Sequence, residues 1–144
     1  MPEKETLERA RREKREGKSP STQAGEFVRQ EMEHIREGKH GARSTKQAIA
    51  IGLSEARRAG VDLPPSKNSS EETKEQARRD IRKARSGGKK SAKRSRATSK
   101  ALKREGRTAA SKEALSSQAR SAARKRSAAS RSRSAKKAAA TRKK

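Results

Sequence analysis

KHGARSTKQAIAIGLSEARRAG, residues 39–60, decides the fold. It sets three large aliphatics, Ile49, Ile51 and Leu53, close together in a chain otherwise dominated by lysine, arginine, serine and alanine. Ser44 is followed three residues later by Gln47, the pairing of a capping box, so a helix is predicted to start at Thr45. Ile49, Leu53 and Ala56 fall on one stripe of that helix. Ala48, Gly52 and Ala59 make a small-residue strip that permits close approach of another helix, and self-association through it is one way to relieve a marginal stability. Gly60 stands where a left-handed residue after the helix is needed, Val61 supplies the apolar contact of a Schellman ending, and Pro64-Pro65 prevent continuation.

Working upstream, residues 22–37, TQAGEFVRQEMEHIRE, place Val28, Met32 and Ile35 at i, i+4, i+7 with Phe27 beside them and Gly38 as a stop. The two segments predict a helical hairpin. Residues 3–16 predict a charged, solvated helix with only Leu7 and Ala10 able to face a core, and Lys18–Ser21 a joint. Downstream, Ser69 with Glu72 predicts a third helix over 69–86, acidic at its start, basic at its end, with a thin stripe of Ala77, Ile81 and Ala84. The expected organisation is a charged helix and joint (1–19), a helix-turn-helix-like hairpin module (20–65), a spacer helix (66–88) and a tail (89–144). The fold class is small and all-α, with flanking solvated helices and a long disordered basic C-terminal tail. The hairpin alone should be only marginally stable.

The charge is unevenly spread. Of a net +25 over 144 residues, residues 1–65 carry 14 Lys+Arg against 11 Asp+Glu, whereas residues 66–144 carry 28 against 6. From Ser86 onward, 21 of 59 residues are Lys or Arg, 15 Ala and 12 Ser, with only Glu105 and Glu113 acidic. Such a stretch has too little apolar area to build a core, and it predicts coil. Alanine keeps helix propensity high, so residues 109–126 are expected to turn helical once phosphates screen their charges.

A polycation of this density attracts polyanions, because neutralising backbone phosphates releases condensed counterions without reading sequence. The candidate nucleic-acid contacts are Lys89, Lys90, Lys93, Arg94, Arg96, Lys100, Lys103, Arg104, Arg107, Arg120, Arg124, Lys125, Arg126, Arg131, Arg133, Lys136, Lys137, Arg142, Lys143 and Lys144. Phe27 is the one aromatic residue, so there are no stacking platforms for single-stranded bases and duplex phosphate is the expected target. A sequence-reading role for the hairpin would rest on Arg43, Lys46 and Gln47 at the start of its second helix, but the KHGAR turn is loose and no third core helix is evident.

Other chemistries find little support. Zero cysteines exclude disulfides and thiolate metal sites. Glu31 and His34 form one E-x-x-H pair, whereas a di-iron bundle needs two such motifs and further carboxylates, so no metal is expected and His40 is expected to face solvent or phosphate. Gly17-Lys18-Ser19 ends like a phosphate loop, but Arg12 occupies the position that needs a glycine. No Ser/His/Asp set or paired carboxylates suggest catalysis, and neither enzyme activity, cofactor nor small-molecule substrate is expected. Residues 1–18 lack the apolar run of a signal peptide and no stretch is long enough to span a membrane, so a cytoplasmic location is expected.

The stretch EFVRQEMEHIREGKHGARSTKQAIAIGLSEARRAGVDLPP, 26–65, resembles a family of small basic bacterial proteins classed only as a domain of unknown function. The tail separately resembles the alanine- and lysine-rich arms of bacterial histone H1-like proteins, though richer in serine and arginine. Together the resemblances imply a bacterial, nucleoid-associated protein, and the cationic arm makes largely sequence-independent DNA binding the leading expectation. RNA or ribosome association, and an adaptor acting through the hairpin, are the alternatives, with a homodimer formed through the hairpin strip as a further expected partner.

Overall fold

A computed structural model describes residues 2–143. Among them are seven helices and no strand: α1 (Lys4–Arg15), α2 (Pro20–Arg36), α3 (Thr45–Arg58), α4 (Glu71–Ser86), α5 (Ala92–Lys103), α6 (Lys112–Arg124) and α7 (Ala128–Arg142), with a short 3-10 turn, Thr108–Ala110, ahead of α6. None of these helices is long and apolar enough to cross a membrane.

The hairpin is α2 packed on α3. Ser44 caps α3 by accepting the Gln47 N–H at 3.2 Å. At the other end Gly60, at φ +97°, donates to the Arg57 carbonyl at 3.1 Å while Val61 donates to Ala56 at 3.0 Å, the double bond of a Schellman ending. Gly38 ends α2 the same way at φ +80°, with bonds back to Ile35 and His34. Two boundaries differ from the expectation. Ser19 caps α2 with Pro20 in its first turn, so the joint is a helix start, and Ser70 rather than Ser69 caps α4.

Gly52 lets α2 and α3 approach closely. A Cβ there would lie 2.7 Å from the Val28 Cα and 2.9 Å from its backbone nitrogen, so only glycine fits. Gly52 and Ala48 of the small-residue strip are therefore occupied within the chain, Ala48 fully buried, whereas Ala59 is exposed.

The first helix is not merely solvated. α1 lies on α2, and Ala10 joins Ala24, Phe27, Ala56 and Val61 in a buried cluster flanked by Leu7, Leu53 and Leu63. This is the third core helix that its thin apolar stripe concealed. α4 in turn docks on α3 through a polar anchor. Asp80, fully buried, accepts from Ser54 Oγ at 2.6 Å, Arg58 Nε at 3.1 Å and Gln76 Nε2 at 3.2 Å. Three donors offset the cost of burying one carboxylate.

The tail corrects the largest expectation. Where residues 89–144 were expected to be disordered, the structure describes α5, the 3-10 turn, α6 and α7, and only Lys144 of that segment lies outside the described residues. Serines supply the starts: Ser91, Ser111 and Ser127 each accept a backbone N–H three residues on. Alanine supplies the propensity. The helix expected over 109–126 begins only at Lys112, because Ala109 and Ala110 are used as a buried plug instead.

Candidate nucleic-acid interface

The plug anchors the cationic arm to the body. Ala109 and Ala110 enter a second buried cluster with Met32, Ile35, Ala42 and Ala48, against which Val28, Ile49 and Leu115 pack. Thr45 Oγ1 donates to the Ala109 carbonyl at 2.6 Å and Arg36 Nε to the Ala110 carbonyl at 3.0 Å. The Gly41 and Ala42 N–H groups donate to the carbonyls of Leu102 and Gly106 at 2.9 and 3.0 Å. A Cβ on Gly41 would fall 2.0 Å from the Glu105 carbonyl oxygen, so the arm's backbone lies directly on that glycine. The connection between the hairpin helices, which looked loose in sequence, is thus a docking platform for residues 102–110.

Beyond the plug, the arm is surface. α5, α6 and α7 bury no residue. Every arm cation nominated from the sequence between Lys89 and Lys143 is exposed, and Lys112 joins them. Helical spacing sorts them into stripes: Lys93, Arg96, Lys100 and Lys103 on α5, and Lys112, Arg120 and Arg124 on α6, where they border an open depression that includes Ser116 and Lys125. The α5 stripe runs about 15 Å, a length of duplex carrying about nine phosphate charges. On α7, Arg131, Arg133, Lys136, Lys137 and Arg142 have no acid on their own helix. The Arg107 side chain lies over Gly38 at the end of α2, and Arg126 bonds Ser130 and Ser134 across the start of α7.

The three hairpin candidates divide. Arg43 and Lys46 are exposed at the start of α3, with Arg43 Nε 3.9 Å from Glu105. Gln47 is committed elsewhere, its Oε1 accepting the Arg43 backbone N–H at 2.6 Å, which completes the cap. A base-reading contact by Gln47 would have to break that bond.

His40 also departs from expectation. Its side chain is 17 % exposed, and its Nε2 approaches Glu31 Oε1 to 3.3 Å rather than facing solvent. The approach lacks hydrogen-bond geometry, so this buried carboxylate oxygen has no donor. Burial pushes the Glu31 carboxyl above its ordinary range, partly opposed by His40. Sequence reasoning paired Glu31 with His34 by spacing but missed His40, whose arrival depends on the reversal at Gly38.

No curated protein and no solved structure matches the chain. Residues 4–67, which span α1, α2, α3 and the segment that closes their core and leave the arm outside, match a family of unknown function, DUF6496.

Proposed function

We propose that the protein is a non-enzymatic nucleic-acid-binding protein, histone-like and nucleoid-associated in the cytoplasm, that engages duplex DNA without sequence preference through the cationic faces of α5, α6 and α7. The observation that carries this reading is an arm of helices that bury nothing and, among the described residues, expose every nominated arm cation, tethered by one buried plug. Folding does not account for those charges, since none of them closes the core, and solubility requires far fewer than a net +19 over residues 86–144. Phosphate neutralisation does account for them.

Competition separates duplex DNA from the alternatives. With a labelled duplex bound, unlabelled duplex of unrelated sequence should displace it as well as the same sequence does, and single-stranded DNA should compete poorly because the arm has no aromatic residue to stack on bases. Structured RNA displacing the duplex at much lower concentration would replace DNA with RNA as the target. A chain that binds neither would return function to the hairpin as an adaptor.

A further inference from the structure

We propose that Glu31, His34 and His40 form a binding site for a borderline transition-metal ion, best fitted by Zn²⁺, at the junction of α2 and the arm's docking platform. Glu31 and His34 sit one turn apart on α2, and the reversal at Gly38 brings His40 back over them. One ligand atom from each lies within 4.8 Å of the other two. His40 Nε2 and Glu31 Oε1 are 3.3 Å apart. That is the separation of two ligands in a tetrahedron with bonds of about 2.1 Å, for which the edge is about 3.4 Å.

Glu31 Oε1 is the second observation. It belongs to a side chain only 3 % exposed, points at the two imidazoles and has no hydrogen-bond donor. A buried carboxylate oxygen left in this condition is costly, and a cation between it and the imidazoles removes the cost. A simple His40–Glu31 ion pair would place a ring N–H in hydrogen-bond geometry on that oxygen, which is not what is seen. His40 Nδ1 instead lies 3.0 Å from the Gly41 carbonyl, so the ring donates there and leaves Nε2 as its unprotonated nitrogen, a potential ligand beside Glu31. A ligand imidazole that donates its other N–H to a backbone carbonyl is the usual support behind a metal. Glu3, from the segment before α1, reaches His34 Nε2 at 3.0 Å and orients the second ring.

Two imidazoles and a carboxylate favour zinc over magnesium or calcium, which take oxygen donors. Three protein ligands leave one position for water or a ligand atom from outside. The site differs from a di-iron bundle in needing no second E-x-x-H, and it is separate from the phosphate-binding reading of the arm. Its structural consequence is local: a metal would tie residues 38–41 to α2, and it is on Gly41 and Ala42 that Leu102 and Gly106 hang.

The chain has only two histidines, both here, so imidazole-ligated zinc has nowhere else to bind. The test titrates ZnCl₂ into the full chain, following heat and the imidazole proton resonances, with thermal unfolding measured with zinc and with chelator. One equivalent should shift both imidazoles together and raise the melting temperature. H34Q and H40Q should each weaken binding about tenfold or more. E31Q should lose binding equally while melting in chelator no lower than the parent, because an amide of the same shape replaces an unpaired buried charge, and this variant separates a lost ligand from a lost fold. Imidazole resonances unmoved by excess zinc, or full affinity retained in E31Q, would overturn the site.

Discussion

Helices α2 and α7 are nearly the same length, 17 and 15 residues, and each starts from a serine cap, yet α2 buries seven side chains and α7 none. They are helical for different reasons. α2 is held by what it touches: α1 on one side, α3 through the Gly52 contact, and the Ala109-Ala110 plug at its end. α7 is held by alanine propensity and the Ser127 cap, with Arg126 bridging to Ser130 and Ser134. A helix stabilised by packing has spent its surface on the fold, whereas one stabilised by local preference leaves its whole circumference for something else. In this chain that circumference is cationic.

If the contrast is real, equivalent insertions should behave oppositely in the two regions. Gly52→Leu should cost about 3 kcal/mol or more, because even a Cβ meets Val28 backbone. Ala135→Leu on α7, at an exposed position, should change stability by no more than about 0.5 kcal/mol. Denaturant unfolding followed by circular dichroism measures both. Equal costs would mean that α7 is packed against something.

Asp80→Ala should cost about 2–3 kcal/mol, since it strands the Ser54 hydroxyl and leaves Arg58 without its carboxylate on the α3 face. The loss should fall on the α4 dock. Hydrogen exchange should rise in residues 71–86 and leave the amides around Phe27 and Ile35 protected.

Gly41→Ala should cost about 1–2 kcal/mol and act on the arm rather than the body, by lifting the 105–106 backbone off its platform. Amides between Leu102 and Leu115 should then exchange faster while α1, α2 and α3 keep their protection. Uniform loss of protection across the chain would show that arm and body unfold as one unit, against the division drawn between them.

The hairpin was legible because its signals are local. The Ser44 cap, the Met32 and Ile35 spacing and the Gly60 ending each lie within a few residues of what they determine, and each is found in place. What escaped was carried by partners distant in sequence. α1 presents only Leu7 and Ala10 as an apolar face, too thin to announce a core helix until α2 is set against it. Ala109 and Ala110 look like any other alanines of the arm, and nothing periodic links them to Thr45 and Arg36, more than 60 residues away. Gly52 was readable as a close-approach position, but sequence spacing does not say whether the helix that approaches belongs to this chain or to a second copy. The arm's caps, Ser91, Ser111 and Ser127, are three serines among twelve in that stretch, and a composition that argues for coil counts apolar area without weighing caps and propensity together. For the site, the cations themselves were readable, and their exposure follows from how few acids and large apolar residues the arm offers, Glu105, Glu113, Leu102 and Leu115. His40 was not, since its place beside Glu31 depends on one left-handed glycine.

The salt dependence of affinity tests the cationic-arm reading most directly. Binding of the intact chain to two duplexes of unrelated sequence should weaken linearly in log salt, with a slope of about −0.9 per phosphate neutralised. Engagement of about half of the 21 arm cations gives a slope near −9, the same for both duplexes. Arg124→Ala, Lys125→Ala and Arg133→Ala should each flatten it by up to about one unit with no change in melting temperature, because these side chains are exposed. A slope no steeper than about −2, or a strong preference for one duplex that Gln47→Ala abolishes, would contradict the account.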